Sequence, residues 1–129
     1  QIEEEFKTSM NLITNITGKP DQYFRPPFGD YNDTLVSTAN ELGLKTVQWD
    51  VDTLDWKGLS ATEILNRIKS SVKNGSIILC HNNSDHIIEA LPLIISYLKS
   101  EGYEMVKISE LVHQNNYFVD SNGLQKVKK

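Results

Sequence analysis

Two short segments of the 129-residue chain carry residue types suited to acid–base chemistry. Residues 50–56 (DVDTLDW) place three carboxylates in front of a tryptophan, and residues 79–81 (LCH) end in a histidine. A histidine can exchange a proton near neutral pH, and a neighbouring carboxylate can orient its ring. Carboxylates with an aromatic rim also suit a sugar, whose apolar face stacks on the ring. The structural alternative is that these aspartates cap a helix, Trp56 packs on it, and His81 has no chemical role.

A third segment, residues 25–29 (RPPFG), could position a charged group. Its two prolines fix the backbone, and Gly29 allows a conformation or a close approach that a side chain would block. An arginine beside such a rigid loop can hold a carboxylate through two parallel hydrogen bonds. The alternative is a surface turn stiffened by proline, with Arg25 in solvent.

Outside these segments the sequence contains no complete nucleophile or metal site. Strand alternation places the single cysteine, Cys80, on the face opposite His81. No serine lies in a Gly-x-Ser-x-Gly elbow. A catalytic zinc ion needs three protein ligands, whereas His81 and His86 are two candidates at most. We therefore predict that this chain alone binds no metal.

Hydrophobic periodicity predicts alternating helices and strands that would hold these segments. Helices are predicted at residues 2–16, between the Asn32 cap and Gly43, between the Ser60 capping box and Gly75, and from near Ala90, with Pro92 in the first turn, to Gly102. Strands are predicted at residues 23–25, 45–52, 76–80 and 104–107, followed by a helical turn at 109–112 and a strand and turn at 117–123.

This alternation predicts an α/β fold with right-handed crossovers and a parallel sheet. With only about four strands, the sheet is too small to close as an eight-stranded barrel, although it has the strand–helix rhythm of one. The apolar run at 76–80 is typical of a strand buried on both faces. Catalytic residues in such sheets gather at the C-terminal ends of the strands, where all three segments are expected.

Composition excludes several classes of protein. The chain has 13 Lys and Arg against 17 Asp and Glu, a formal charge of −4. This acidic balance gives no electrostatic reason to expect a nucleic-acid partner. No apolar run approaches the roughly 20 residues of a membrane-spanning helix. One cysteine excludes an internal disulfide.

The three segments, in their order and on successive strands, resemble the later three signature motifs of NodB-type polysaccharide deacetylases, carbohydrate esterase family 4. The resemblance implies that residues 1–112 are the C-terminal portion of such a domain, a parallel-sheet fragment of a distorted (β/α) barrel, followed by a tail at 113–129. It implies a zinc-dependent or other metal-dependent enzyme that removes N-acetyl groups from peptidoglycan or a chitin-like glycan, outside the cell or in its envelope. Residues 88–92 and the tail are similar to sporulation-associated members.

The resemblance also implies roles for individual residues. His81 would protonate the departing amine, Asp55 would orient His81, and Arg25 would hold a catalytic-base aspartate.

Three further residues would contact the substrate. The backbone amide of Phe28 would help to form the oxyanion hole, Trp56 would wall the groove, and Leu79 would line the acetyl pocket. If the family's geometry holds, Arg25, Asp55 and His81 converge on one cavity.

The family's first two motifs, which supply the base aspartate and the metal ligands, have no counterpart in the sequence. We therefore expect the chain to be the C-terminal half of the catalytic domain and to be inactive alone. Unpaired strand edges predict self-association or pairing with the missing half. Two other functions stay open: a glycoside hydrolase using Asp50, Asp52 and Asp55, and a non-catalytic carbohydrate-binding or interaction domain.

Overall fold

A computed structural model describes residues 1–128. These residues form two compact units, of which the first is Gln1–Gln48 and the second begins at Trp49. Each unit has its own hydrophobic core. None of the helices within residues 1–128 combines the length and the apolar content needed to cross a bilayer.

The first unit alternates helix and strand, as expected. Its elements are α1 (Ile2–Thr17), β1 (Tyr23–Phe24), α2 (Asp33–Glu41) and β2 (Lys45–Thr46), and β1 pairs with β2 in parallel. The predicted end of α1 is confirmed, because Gly18 adopts a left-handed conformation and its amide donates to the Thr14 carbonyl. The predicted Asn32 cap is also confirmed, since its side chain accepts from the Leu35 amide at 2.8 Å.

An aromatic pair lies in the core of the first unit. The rings of Phe6 on α1 and Phe24 on β1 meet edge to face, with centroids 4.6 Å apart. Ala39 on α2 and Leu44 before β2 complete the buried cluster. The strand pair is therefore packed against both helices of its unit.

The second unit contains the remaining elements. They are β3 (Val51–Asp52), α3 (Ala61–Ser71), β4 (Ile78–Leu79), α4 (Ile87–Ser100), α5 (Ile108–Leu111), β5 (Tyr117–Val119) and β6 (Gln125–Val127). β3 and β4 pair in parallel, with Asp52 opposite Leu79, whereas β5 and β6 form an antiparallel hairpin. Because β3 and β4 run in the same direction, the residues that follow them lie at the same edge.

The core of the second unit forms where α3 and α4 pack on β3. Its buried members are Val51, Ile64, Ile68, Ala90, Ile94 and Leu98. The predicted capping box of α3 is confirmed, since the Ser60 amide donates to Glu63 Oε2 at 2.8 Å and the Ser60 hydroxyl accepts from the Glu63 amide. This cap fixes where the chain turns from the loop after β3 into α3.

The prediction of one strand at 45–52 is wrong. Residues 45–46 form β2 and residues 51–52 form β3, and the two pair with different strands. After β2 the Val47 amide still donates to the Phe24 carbonyl, whereas the Val51 amide donates to the Ile77 carbonyl. The change of partner interrupts the ladder, although β-branched residues lie on both sides of the interruption, at Thr46 and Val47 and again at Val51.

The strand predicted at 76–80 is shorter than expected and is not buried on both faces. β4 covers Ile78–Leu79; Leu79 is buried, but Ile78 is half-buried and Cys80 is exposed. Within residues 1–128, β4 pairs with β3 alone, so its other edge is not covered by a strand.

Helix α4 begins at Ile87 rather than near Ala90, and Pro92 therefore lies inside the helix. Proline has no amide hydrogen to donate to the carbonyl four residues earlier, that of Ile88. The helix forms nevertheless, because its other face is anchored in the core by Ala90 and Ile94.

The strand predicted at 104–107 is absent: these residues have no ladder partner among residues 1–128. The helical turn predicted at 109–112 is confirmed as α5, and the strand and turn predicted at 117–123 are confirmed by β5 and the turn before β6.

Candidate active site

Asp55 and His81 meet at the edge where β3 and β4 end. Asp55 begins a 3₁₀ turn three residues after β3, and His81 follows β4 by two residues. The distance between His81 Nδ1 and Asp55 Oδ1 is 2.6 Å, and the His81 backbone amide donates to Asp55 Oδ2 at 3.2 Å. One carboxylate therefore holds both the ring and the backbone of the histidine.

The Asp55 carboxylate is buried, and both of its oxygens accept hydrogen bonds. Only 1% of the residue is exposed, and Thr53 Oγ1 donates to Oδ1 at 2.7 Å. Burial alone would raise the pKa of Asp55, but the hydrogen bonds from Thr53 and His81 outweigh burial and lower that pKa below its usual value. The carboxylate is therefore ionised at neutral pH.

The second ring nitrogen of His81 lies on the open side of the pair. The His81 side chain is 27% exposed, and Nε2 lies 3.9 Å from Asp52 Oδ1. With Nδ1 directed at Asp55, Nε2 is the nitrogen that can exchange a proton with a bound molecule. Asp52 itself is held in place, because its carboxylate accepts from the Leu54 amide and its carbonyl accepts from the Arg67 guanidinium.

Trp56 and Leu79 lie in the same unit as this pair. The Trp56 ring centroid is 6.4 Å from that of His81, with an angle of 70° between the planes, and 55% of Trp56 is exposed. Lys57 Nζ lies 5.2 Å from the Trp56 ring. Leu79 is buried at the end of β4. An exposed indole face beside His81 is a surface on which a sugar ring can stack.

The loop that contains Arg25 and Phe28 lies in the first unit. Arg25 is exposed after β1, and residues Pro27–Gly29 form a 3₁₀ turn in which Phe28 has φ 57° and a fully exposed side chain. A positive φ is uncommon for a residue with a Cβ and must be held by its surroundings. Gln48 does so, because its Nε2 donates to the Gly29 carbonyl at 2.8 Å.

The structure thus brings Asp55, His81 and Trp56 together, with Leu79 buried next to them in the strand. Arg25 and Phe28 belong to the other unit, and the predicted convergence of Arg25 with Asp55 and His81 stays a prediction.

Comparisons with known proteins show the family to which the chain belongs. The profile of the polysaccharide deacetylase family matches residues 1–47. A peptidoglycan-N-acetylglucosamine deacetylase of Bacillus cereus is 32% identical over 117 residues, which cover 84% of this chain and 42% of that protein. A solved family 4 carbohydrate esterase from Streptomyces lividans superposes with a TM-score of 0.75 at 32% identity, over 86% of this chain and 58% of that one. The chain belongs to the polysaccharide deacetylase family.

A third similar protein of the family is described as a pseudoenzyme. This family 4 protein from Bacillus anthracis superposes with a TM-score of 0.80 at 32% identity, over 85% of this chain and 39% of its own. These TM-scores confirm the predicted fold class, a fragment of the NodB-type deacetylase fold. The deacetylase-family chain spans 42% of the Bacillus cereus relative's length and 58% or less of that of the two solved structures.

A resident metal ion would need a donor set among the described residues of this deacetylase-family chain. Among residues 1–128, no group of three or more His, Cys, Asp or Glu side chains is placed to hold a metal ion. His81 and Asp52 approach each other, but Asp55 already accepts hydrogen bonds from its neighbours.

Asp50 does not join the other aspartates. Its carboxylate accepts from the Ser76 hydroxyl at 2.9 Å and from the Ile77 amide at 2.8 Å, and Lys73 Nζ lies 3.9 Å away. It therefore ties the start of β3 to the residues before β4, whereas Asp52 contacts His81 beyond their ends. Asp50, one of the three carboxylates of the glycoside hydrolase alternative, therefore has a structural role.

Sequence reasoning missed two residues that support Asp55. The Thr53 hydroxyl donates to the carboxylate, and the Ser84 hydroxyl donates to the Asp55 carbonyl at 3.0 Å. Ser84 lies 29 positions from Asp55 and carries no local signal of this contact. For Thr53 the signal was its place two residues before the aspartate, which favours a short-range hydrogen bond.

Proposed function

We propose that this chain is part of a metal-dependent N-deacetylase that hydrolyses the N-acetyl groups of cell-wall glycan, either peptidoglycan or a chitin-like polymer. The contact between Asp55 and His81 at the ends of two parallel strands is the observation that carries the proposal. The name of the Bacillus cereus relative, a peptidoglycan-N-acetylglucosamine deacetylase, supports the substrate class. Because the proposed substrate is a cell-wall glycan, we also propose that the whole protein acts outside the cell or in its envelope.

In this proposal His81 is the general acid. Nδ1–H donates to Asp55, so Nε2 is the nitrogen that faces the leaving group; in the imidazolium form Nε2 also carries a proton, which it gives to the departing amine. The lowered pKa of Asp55, which is buried but hydrogen-bonded by Thr53 and His81, keeps it negative, so that it stabilises the imidazolium form. Asp52, 3.9 Å from Nε2, adds a second negative charge on the open side.

The remaining predicted residues would act on the substrate or on the base. Trp56 would stack on the sugar ring, and Leu79 would line the acetyl pocket. The Phe28 amide would donate to the oxyanion, and Arg25 would hold the base aspartate.

We propose that the metal ligands of the enzyme, for zinc or another divalent ion, lie in the part of the family domain that this chain does not span. The chain alone is then catalytically inactive, and it needs a partner segment with the family's first two motifs to act on glycan.

A chimeric domain tests the proposal. The chain replaces the matching 117 aligned residues of the Bacillus cereus relative, so that the rest of that deacetylase supplies the part of the domain that this chain does not span. We expect zinc-dependent release of acetate from an N-acetylglucosamine oligomer by the chimera. Changing His81→Ala should lower kcat by about 10²–10⁴-fold, and His113→Ala is the matched control.

Three results would contradict the proposal. A folded, zinc-loaded chimera without activity would contradict the proposed deacetylase function. Full activity of the His81→Ala chimera would show that His81 is not the general acid. Acetate release by the isolated chain shows that it needs no other segment.

The alternative of a non-catalytic carbohydrate-binding domain is favoured by one observation, that a similar solved structure is a pseudoenzyme. This alternative predicts that the isolated chain binds glycan, which a change in tryptophan fluorescence would detect and Trp56→Ala would abolish. It also predicts that the chimera folds but is inactive.

A further inference from the structure

Thr53 is a buried residue with a defined hydrogen-bonding task. None of its surface is exposed, and its hydroxyl donates to Asp55 Oδ1 at 2.7 Å. The same oxygen contacts His81 Nδ1 at 2.6 Å. A hydroxyl in the protein interior needs a partner, and here the partner is the carboxylate that orients the candidate acid.

The contacts of Asp55 show what the hydroxyl adds. Oδ2 accepts from the His81 amide, while Oδ1 is shared between the hydroxyl of Thr53 and the ring of His81. Without the hydroxyl, His81 alone would satisfy Oδ1, and the buried carboxylate would have one donor fewer to offset its burial.

We propose that Thr53 is a positioning residue of the deacetylase site, whose hydroxyl holds the Asp55 carboxylate in the orientation that fixes His81. This inference rests on the proposed role of His81 and adds a residue that touches neither the substrate nor the reacting atoms. Thr53 contacts Asp55, and Asp55 contacts His81 Nδ1. Nε2 of His81 is therefore the ring nitrogen that can reach the leaving group.

The charged groups around this site stay the same when Thr53 alone is changed. Asp52 on β3, Cys80 and His81 after β4, and Arg67 on α3 contact or surround the Asp52–Asp55 loop. Any difference between variants in the titration of Asp55 therefore reports on Thr53.

The test is a carbon-13 NMR titration of the Asp55 side-chain carboxyl in the full chain, without substrate or metal. Thr53→Val keeps the shape of the side chain but removes the donor, and we expect the proton affinity of Asp55 to rise at least about tenfold. Thr53→Ser keeps the hydroxyl, and it should restore the wild-type titration. A folded Thr53→Val chain with an unchanged Asp55 titration overturns the proposal.

A second measurement decides the matter if Thr53→Val does not fold. In the wild-type chain, the Thr53 hydroxyl proton should give a resonance protected from exchange, which is lost when Asp55 is protonated. A hydroxyl proton that exchanges freely while Asp55 is ionised overturns the proposal. Neither measurement depends on catalysis, so an inactive chimera and a null titration are separate failures.

Discussion

At the scale of single residues, Asp55 combines burial with a negative charge, and its donors explain how the two coexist. An ionised carboxylate in the protein interior is stable only if hydrogen bonds replace the water that it loses. Three groups replace that water: the Thr53 hydroxyl, the backbone amide of His81 and Nδ1 of the His81 ring. The aspartate is thus tied to the stability of the second unit as well as to its chemistry.

The charge of Asp55 makes the stability of the chain depend on pH. Because the folded chain holds the pKa of Asp55 below the ordinary aspartate value of about 3.9, the unfolded chain takes up the proton first as pH falls. Its contribution to stability is therefore fully present above that value and is lost as pH falls towards the folded pKa. Urea unfolding between about pH 2.5 and 6 should show this loss in the wild-type chain and a smaller loss in Asp55→Asn.

Asp85, an exposed carboxylate in the same unit, provides the control. Asp85→Asn should keep the wild-type pH dependence. The same slope in Asp55→Asn as in the wild type would show that Asp55 is not stabilised as a charge.

At the scale of elements, the turn Pro27–Gly29 is held by one long-range side-chain contact. Gln48 donates to the Gly29 carbonyl across 19 positions of sequence, and this contact closes the turn around Phe28. The contact links the end of the β2 segment to the loop that follows β1.

We predict that Gln48→Ala lowers the free energy of unfolding by about 0.5–1.5 kcal/mol, the usual net value of one hydrogen bond. Chemical denaturation measures the change, and the amide resonances of Phe28 and Gly29 should move with it. Gln22→Ala, at an exposed position of the same unit, should have no such effect. Unchanged Phe28 and Gly29 resonances in Gln48→Ala would contradict the holding role.

Pro92 is the second feature at this scale, because it interrupts the hydrogen bonding of α4 from within. Pro92→Ala restores an amide donor for the Ile88 carbonyl, so we expect the free energy of unfolding to rise by about 1–3 kcal/mol. The measurement is urea unfolding monitored by circular dichroism. Ser96→Ala, one turn further along the same helix, is the control and should change stability by less than about 0.5 kcal/mol. A less stable Pro92→Ala chain would mean that the proline is favoured by packing.

The elements also show where sequence patterns succeed and fail. The caps at Asn32 and Ser60 were predictable, because each depends on residues within three positions. The interruption between β2 and β3 was not, because Val47 and Val51 have equal strand propensity and only their different partners separate them.

At the scale of the whole molecule, several apolar side chains are exposed on the helices of both units. Ile16 on α1 and Ile88 on α4 are the most exposed of them, at 84% and 82%. Such surfaces, together with strand edges that are unpaired within residues 1–128, favour association.

We therefore predict that the isolated chain self-associates as its concentration rises, which light scattering coupled to size-exclusion chromatography measures. Ile88→Glu should shift the distribution towards the monomer, whereas Glu101→Gln, at the exposed end of the same helix, should not. A monodisperse monomer at high concentration would contradict the prediction.

The sequence by itself determined the local features of this protein: the helix caps, the α/β alternation and the three motifs that resemble the deacetylase family. These depend on residue types a few positions apart, which the linear pattern records directly. The resemblance implied that Asp55 orients His81, 26 positions away, and the tertiary structure supplied the contact itself. Only the tertiary structure decided that the Thr53 hydroxyl donates to Asp55 and that Asp50 is hydrogen-bonded at the opposite end of the strands. Such contacts follow from strand register and packing, because these set which distant side chains share one buried space.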